Sequence, residues 1–442
     1  MSVFQTKQDQ SGDNRLKSAL GDVTERFIAA NPESHARWKK AHDVMPGGNT
    51  RTVLHYDPFP LTMAGGDGAY LHDLDGHRFT DFLGEYSAGL YGHSNPLILK
   101  AIKDAIDDGM VLGAPNRWEA KLAAIICQRF ASIDQVRFTN SGTEANLMAL
   151  GAARAFTGRD KVMVFDGAYH GGVLYFAHGG SPVNVPFTFV YAPYNDSVGM
   201  LKAITGNATD LAAVLIEPMM GAGGCLPADR EFLDALRNET ERHGIILIFD
   251  EVMTSRSAAG GLQQRLGITP DITTLGKYLG GGASFGAFGG RADIMGQFDP
   301  TSANSIGHAG TFNNNVMSMA GGYTGLSQIF TAQAADALFK RGEDFRARLN
   351  AMISERNLAM QYTGVGSIMG LHTVGHPIRI PADTAGEMPE KATLLHLEMM
   401  MRGFVYAQRG YMTLSLAMSD QDLDNFVSAF DEVLSIHADL LA

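Results

Sequence analysis

Short apolar runs alternate with stretches of helical periodicity through the middle of the chain. From about residue 117 the runs KVMVF at 161, AAVLIEP at 212, GIILIFDE at 244 and DITTLGK at 271 recur between helical segments. That alternation predicts βαβ units and a parallel sheet covered on both faces. Upstream, residues 21 to 45 have helical spacing and stop at MPGG, after which GDGAYLHDLDGHRFTDF alternates polar and apolar positions about a DG turn. This is a hairpin signature. Downstream of about residue 331 the pattern gives long helices, a strand candidate at 366 and a closing amphipathic helix over 420 to 440. The expected organisation is a flexible arm over 1–20, an N-terminal segment of helix plus small-domain strands over 21–110, a large domain over 111–330 and a C-terminal α+β domain over 331–442.

Composition narrows the class without naming it. With 442 residues, 45% apolar and 19% charged, and no apolar run near membrane-span length, the chain reads as a globular protein with a large core. A formal net charge of −12 disfavours a nucleic-acid partner, which needs a basic stripe to displace counterions. Cys127 and Cys225 are far apart and lack metal or disulfide spacing, so both are expected to be buried, reduced thiols. The polar N-terminus has no apolar signal-peptide core, and the expected compartment is the cytoplasm.

In open parallel sheets ligands bind at the carboxyl ends of the strands. Here every such exit is polar: DGAYHG after KVMVF, Glu217-Pro218 after AAVLI, Asp250-Glu251 after IILIF, and Lys277 after DITTLG. Glycines and apolar neighbours around Lys277 would desolvate its ammonium and favour a neutral amine able to attack an aldehyde. Alone, a lysine in a glycine-rich loop is more often structural, with its head in solvent. Asp250 closes an apolar strand, where a buried carboxylate needs a cationic partner such as a protonated pyridine nitrogen. A structural turn-capping aspartate is the alternative. TNSGTEAN places Ser141, Gly142 and Thr143 ahead of a helix, offering free backbone N–H groups and hydroxyls to a phosphate, although the same string works as a plain helix cap. Tyr169-His170-Gly171 supplies an aromatic face with clearance beside it, or simply a core tyrosine. No second histidine stands at metal-ligand spacing, so a metal is not expected. The string GASFG around Ser284 matches a serine-hydrolase elbow, but it sits inside a glycine-rich loop instead of between a strand and a helix.

The ordered set SGTEAN, YHG, EP, DEV, the lysine and GTF resembles the class III aminotransferases, pyridoxal-phosphate (PLP) enzymes of fold type I, over residues 20 to 440 or so. The resemblance implies an α/β large domain with a mainly parallel sheet between helices, and a smaller α+β domain built from both termini. It implies that Lys277 binds the cofactor aldehyde and shuttles the proton. Ser141, Gly142 and Thr143 would cradle the phosphate, with Tyr169 and Val252 on opposite ring faces. Asp250 would hold the pyridine nitrogen, and His170 and Glu217 would support the pocket. Thr311 would reach the phosphate across a homodimer interface. MPGGNTR and DEVMTSR look closest to the glutamate-1-semialdehyde aminomutase branch and to the β-amino acid aminotransferases. GTFNNNV and NTRTVL favour the latter, for which Arg51 and Arg409 resemble the carboxylate-binding arginines. Tyr86 could line the side-chain pocket. The expected reaction moves the amino group of a β-amino acid, plausibly aromatic like (S)-β-phenylalanine, to 2-oxoglutarate or pyruvate by a ping-pong route.

Overall fold

The computed structural model describes residues 3–442. Seven strands form the main sheet in the order Gln135–Thr139, Gly286–Gly290, Ile272–Gly276, Ile246–Asp250, Leu211–Ile216, Lys161–Phe165 and Thr188–Ala192. The last five run parallel to one another, while Gly286–Gly290 is antiparallel to both of its neighbours. All six residues of Leu211–Ile216 and all five of Ile246–Asp250 are buried, which explains why these strands are apolar throughout instead of alternating. The helix Gly142–Thr157 packs across the central strands, and Ser197–Thr205 packs on Arg230–His243.

All four apolar runs form strands, and their shared direction puts the exits after Phe165, Ile216, Phe249 and Gly276 along one sheet edge. The strand Gly286–Gly290 carried no comparable signal, because glycine is a poor strand former. Its glycines are required by contact: a Cβ on Gly286 would lie 2.1 Å from the Ser141 carbonyl oxygen, and one on Gly290 would lie 2.3 Å from that of Asp271.

The smaller domain draws on both ends of the chain. Met63–Asp67, Tyr70–Asp73 and Arg78–Asp81 form an antiparallel meander, and Phe404–Val405 adds to it in parallel beside Arg78–Asp81. Gln361–Val365, Ile368–His372 and Tyr411–Thr413 make a second antiparallel sheet, against which the helix Ala332–Glu355 packs. One expectation needs correction. A helix, Val3–Ala30, runs through the segment taken as a flexible arm, and Leu16, Val23 and Phe27 on it are buried in a cluster with Phe59, Leu394 and Leu397. Those apolar positions already have helical spacing, but the surrounding polar residues mask it. Both cysteines are free; Cys225 is buried as expected, whereas Cys127 is only partly so. Among the described residues no helix is long and apolar enough to cross a membrane.

Candidate active site

Asp250 sits at the end of its strand, buried, and its carboxylate is fully engaged. Oδ2 lies 2.8 Å from His170 Nδ1 and accepts from Asn146 Nδ2 at 2.8 Å, while Oδ1 accepts from the Val252 N–H at 3.0 Å. Asn146 also donates to the His170 carbonyl at 2.9 Å and accepts from Thr274 Oγ1 at 2.6 Å. Four elements are thereby pinned to one carboxylate: the helix Gly142–Thr157, the turn after Phe165, and the strands ending at Asp250 and Gly276. Sequence reading missed Asn146. Its available signal was its position one helical turn after Gly142, on the same helix face.

The helix N-terminus beside this network is open to a ligand. Ser141 Oγ accepts from the Glu144 N–H at 3.1 Å, so Ser141 caps the helix as its alternative reading foresaw. The Gly142 and Thr143 N–H groups have no partner within the chain. Both glycines of the cradle are sterically required. A Cβ on Gly142 would meet Val252 Cγ2 at 2.8 Å, and one on Gly171, where φ is +128°, would meet Thr143 Oγ1 at 2.1 Å. The YHG turn and the SGT turn therefore abut. Tyr169 is half-exposed, with its ring edge-on to Tyr175 at 5.8 Å.

Glu217 is buried, with Oε1 accepting from the Tyr169 N–H at 3.0 Å and Oε2 from the Gly221 N–H at 2.8 Å. Burial pushes its carboxyl up to about 7, against the pull of those two N–H groups and of His170. Lys277 follows the strand Ile272–Gly276 with φ of +56°, a left-handed conformation that a non-glycine residue keeps only when its surroundings enforce it. Its ammonium has no hydrogen bond or ion pair. Burial, and after it the charge of Arg51, hold its pKa down to about 8, with Arg409 acting in the same sense and Glu85 and Asp250 opposing. Asp250, Arg51, Arg409 and Glu85 thus all lie within electrostatic reach of Lys277.

Arg51 and Arg409 both approach Tyr86, their guanidinium carbons 5.8 and 5.6 Å from its ring centroid. Tyr86 stacks on Tyr411 at 5.3 Å and donates to the Val53 carbonyl at 2.9 Å. Arg51 is ion-paired with Glu85, and Arg409 donates to the Ala222 carbonyl at 3.1 Å. A cavity of about 210 Å³ adjoins Arg409 and Tyr86, walled by Val53, Leu54, Leu83 and Ala407.

Two candidates lie apart from this group. Thr311 is exposed and bonded to nothing in its own chain; two residues on, Asn313 accepts from Asn140 at 3.0 Å, just before the SGT turn. Ser284 is exposed between a 3-10 turn, Lys277–Gly280, and a strand, with no histidine or carboxylate on its hydroxyl, so the hydrolase reading fails on geometry.

A lysine at the exit of a parallel sheet, a buried carboxylate on the next strand and an anion-ready helix N-terminus define a pyridoxal-phosphate transferase of fold type I. More narrowly, the chain belongs to the class-III aminotransferases, whose family model matches residues 53–434. It is 50% identical to the β-phenylalanine transaminase of Variovorax paradoxus over 426 residues, 96% of this chain and 98% of that one. A solved β-phenylalanine aminotransferase from the same organism superimposes with a TM-score of 0.94 over the same shares. The glutamate-1-semialdehyde 2,1-aminomutase of Methanothermobacter thermautotrophicus is 35% identical over 422 residues, covering 91% of this chain and 99% of that one. A solved transaminase with PLP bound is 33% identical with a TM-score of 0.85, over 92% of this chain and 98% of that one.

Proposed function

We propose that this enzyme transfers the amino group of an aromatic β-amino acid, such as (S)-β-phenylalanine, to 2-oxoglutarate or pyruvate. The observation that carries the reading is the pair of arginines that both approach Tyr86 and both lie within electrostatic reach of Lys277. Donor and acceptor both bear carboxylates, and guanidinium groups bind carboxylates in a fixed, two-pronged geometry. The apolar cavity beside Arg409 suits an aryl group, since a dry cavity of about 150 Å³ already admits benzene. The 50% identity to a β-phenylalanine transaminase points the same way.

The residues present fit the cofactor. An unpartnered lysine amine, two unpartnered N–H groups at a helix start and a buried aspartate held by His170, Asn146 and the Val252 N–H are the groups that an aldehyde, a phosphate and a pyridinium would complete. When bound, pyridoxal phosphate supplies an aldehyde to take up the amino group and a ring to accept the electron pair released at the substrate carbon. Lys277 would hold that aldehyde, then remove and return the proton at the amine-bearing carbon. Asp250, braced by His170 and Asn146, would keep the ring nitrogen protonated. Val252 and Tyr169 would confine the ring from its two faces, and Glu217 would close its hydroxyl side. Ser141, Gly142 and Thr143 would cradle the phosphate, joined by Thr311 of a second copy in a homodimer. Cytoplasmic residence completes the reading.

The test is a spectrophotometric half-reaction with the purified holoenzyme. β-Phenylalanine should change the cofactor absorbance and 2-oxoglutarate or pyruvate should restore it. No response to β-phenylalanine together with a response to glutamate-1-semialdehyde would overturn the reading in favour of an aminomutase.

A further inference from the structure

We propose that Glu85 is an internal rival for Arg51, a carboxylate of the protein's own that a substrate carboxylate must displace, and that it thereby sets which substrates Arg51 admits. This rests on the reading of Arg51 as a carboxylate-binding residue.

The two arginines beside Tyr86 are not equivalent. Arg409 meets a neutral carbonyl, that of Ala222, and the neutral rings of Tyr86 and Tyr411. Arg51 is already matched by a full negative charge on Glu85. A substrate anion arriving at Arg409 finds an unneutralised cation, whereas one arriving at Arg51 has to exchange places with Glu85. Both partners of that pair are about half exposed, 42% and 55%, so the exchange is feasible without unfolding anything.

Glu85 is not a stray surface glutamate. It belongs to a left-handed turn of four residues, Gly84 to Ser87, with φ of +52°, +47°, +52° and +78°. Three successive non-glycine residues in that region are costly and persist only when held from several sides. Here Asp81 Oδ1 accepts from the Leu83 and Gly84 N–H groups, each at 2.9 Å, and the Gly89 N–H donates to the Gly84 carbonyl at 2.8 Å. The Ser87 carbonyl faces the buried Arg256 guanidinium at 3.4 Å, and the Tyr86 hydroxyl is tied to Val53. The turn therefore presents Glu85 and Tyr86, consecutive in sequence, to the same guanidinium. The Glu85 charge also reaches Lys277, which directs it toward the site. An amine lacking a carboxylate on the Arg51 side leaves the Arg51–Glu85 pair intact and meets a neutral surface there.

The experiment measures calorimetric binding of 3-phenylpropanoate, the substrate skeleton without its amine, to holoenzyme in four forms: wild type, Glu85→Gln, Arg51→Met and the double variant. Glu85→Gln should bind about threefold more tightly, within the range of roughly 1.4-fold to fivefold that an exposed ion pair is worth. Arg51→Met should bind about tenfold or more weakly, and adding Glu85→Gln to it should change nothing measurable. Unchanged or weaker binding by Glu85→Gln, with Arg51→Met still weakened, overturns the rivalry while leaving Arg51 as the clamp. Tightening that persists without Arg51 overturns it as a mere charge effect. Wild-type binding by Arg51→Met removes the reading of Arg51 and the proposal with it.

Discussion

Replacing Lys277 with methionine in the cofactor-free protein should make the fold more stable at neutral pH, although it removes the reactive amine. The ammonium is held down to about 8 from its ordinary 10.5, first by burial and then by Arg51. At 1.36 kcal/mol per pH unit that difference corresponds to roughly 3 kcal/mol. Solvent screening at the partly exposed amine trims it to about 2–3 kcal/mol. A base whose folded pKa is depressed contributes fully above its unfolded value and loses that contribution as pH falls through the folded one. The wild type therefore carries the whole penalty below pH 8, and none of it above 10.5. Lys277→Met should gain about 2–3 kcal/mol at pH 7, and the gain should shrink by roughly 1.4 kcal/mol per pH unit above pH 8. Methionine keeps the unbranched stem, one atom shorter, and inherits the same left-handed backbone, so backbone strain cancels in the difference. Urea unfolding of both proteins from pH 6 to 9.5, at equal protomer concentration, measures it. A gain that does not decline with pH, or a variant less stable than wild type at pH 7, would refute the account of Lys277 as a desolvated cation.

Arg51→Met and Arg409→Met should each raise the KM of a carboxylate substrate by about tenfold to a hundredfold in steady-state assays, the cost of truncating one partner of a charge pair that is not fully desolvated. Gly171→Ala should lower cofactor affinity, read by absorbance titration, because its Cβ would strike Thr143 Oγ1 at 2.1 Å from a backbone φ of +128° that alanine avoids. Glu217→Gln should remove a pH-dependent weakness. The carboxyl is raised from 4.5 to about 7, so the wild type loses stability as pH climbs between those values, by roughly 3 kcal/mol in all. Glutamine can accept only one of the two N–H bonds, so the variant starts below wild type near pH 4, and its stability relative to wild type should rise by roughly 3 kcal/mol between pH 4 and pH 7 in urea unfolding.

Much of this was legible in the chain because the buried parallel strands are largely apolar and carry no charge before their last residue, so the first charged residue at the end of each central run marks the sheet edge. Glu217, Asp250 and Lys277 announce themselves that way. Asn146 does not, since an asparagine within a helix carries no pattern of its own and matters only through the three elements it joins. The Gly84 to Ser87 turn was invisible for a different reason: Glu, Tyr and Ser have no preference for left-handed backbone, and the hydrogen bonds accepted by Asp81 and donated by Gly89 and Arg256 impose it. Glu85 went unnoticed with it. The N-terminal helix was obscured by polarity, because its few buried side chains serve a small cluster and not the main core.

Arg409 donates its hydrogen bond to the main-chain carbonyl of Ala222, and a carbonyl is present whichever residue occupies that position. The arginine's aim is thus insulated from the choice of side chain at 222. If Arg409 is the carboxylate clamp proposed above, a substitution at 222 leaves the anchor of that clamp in place.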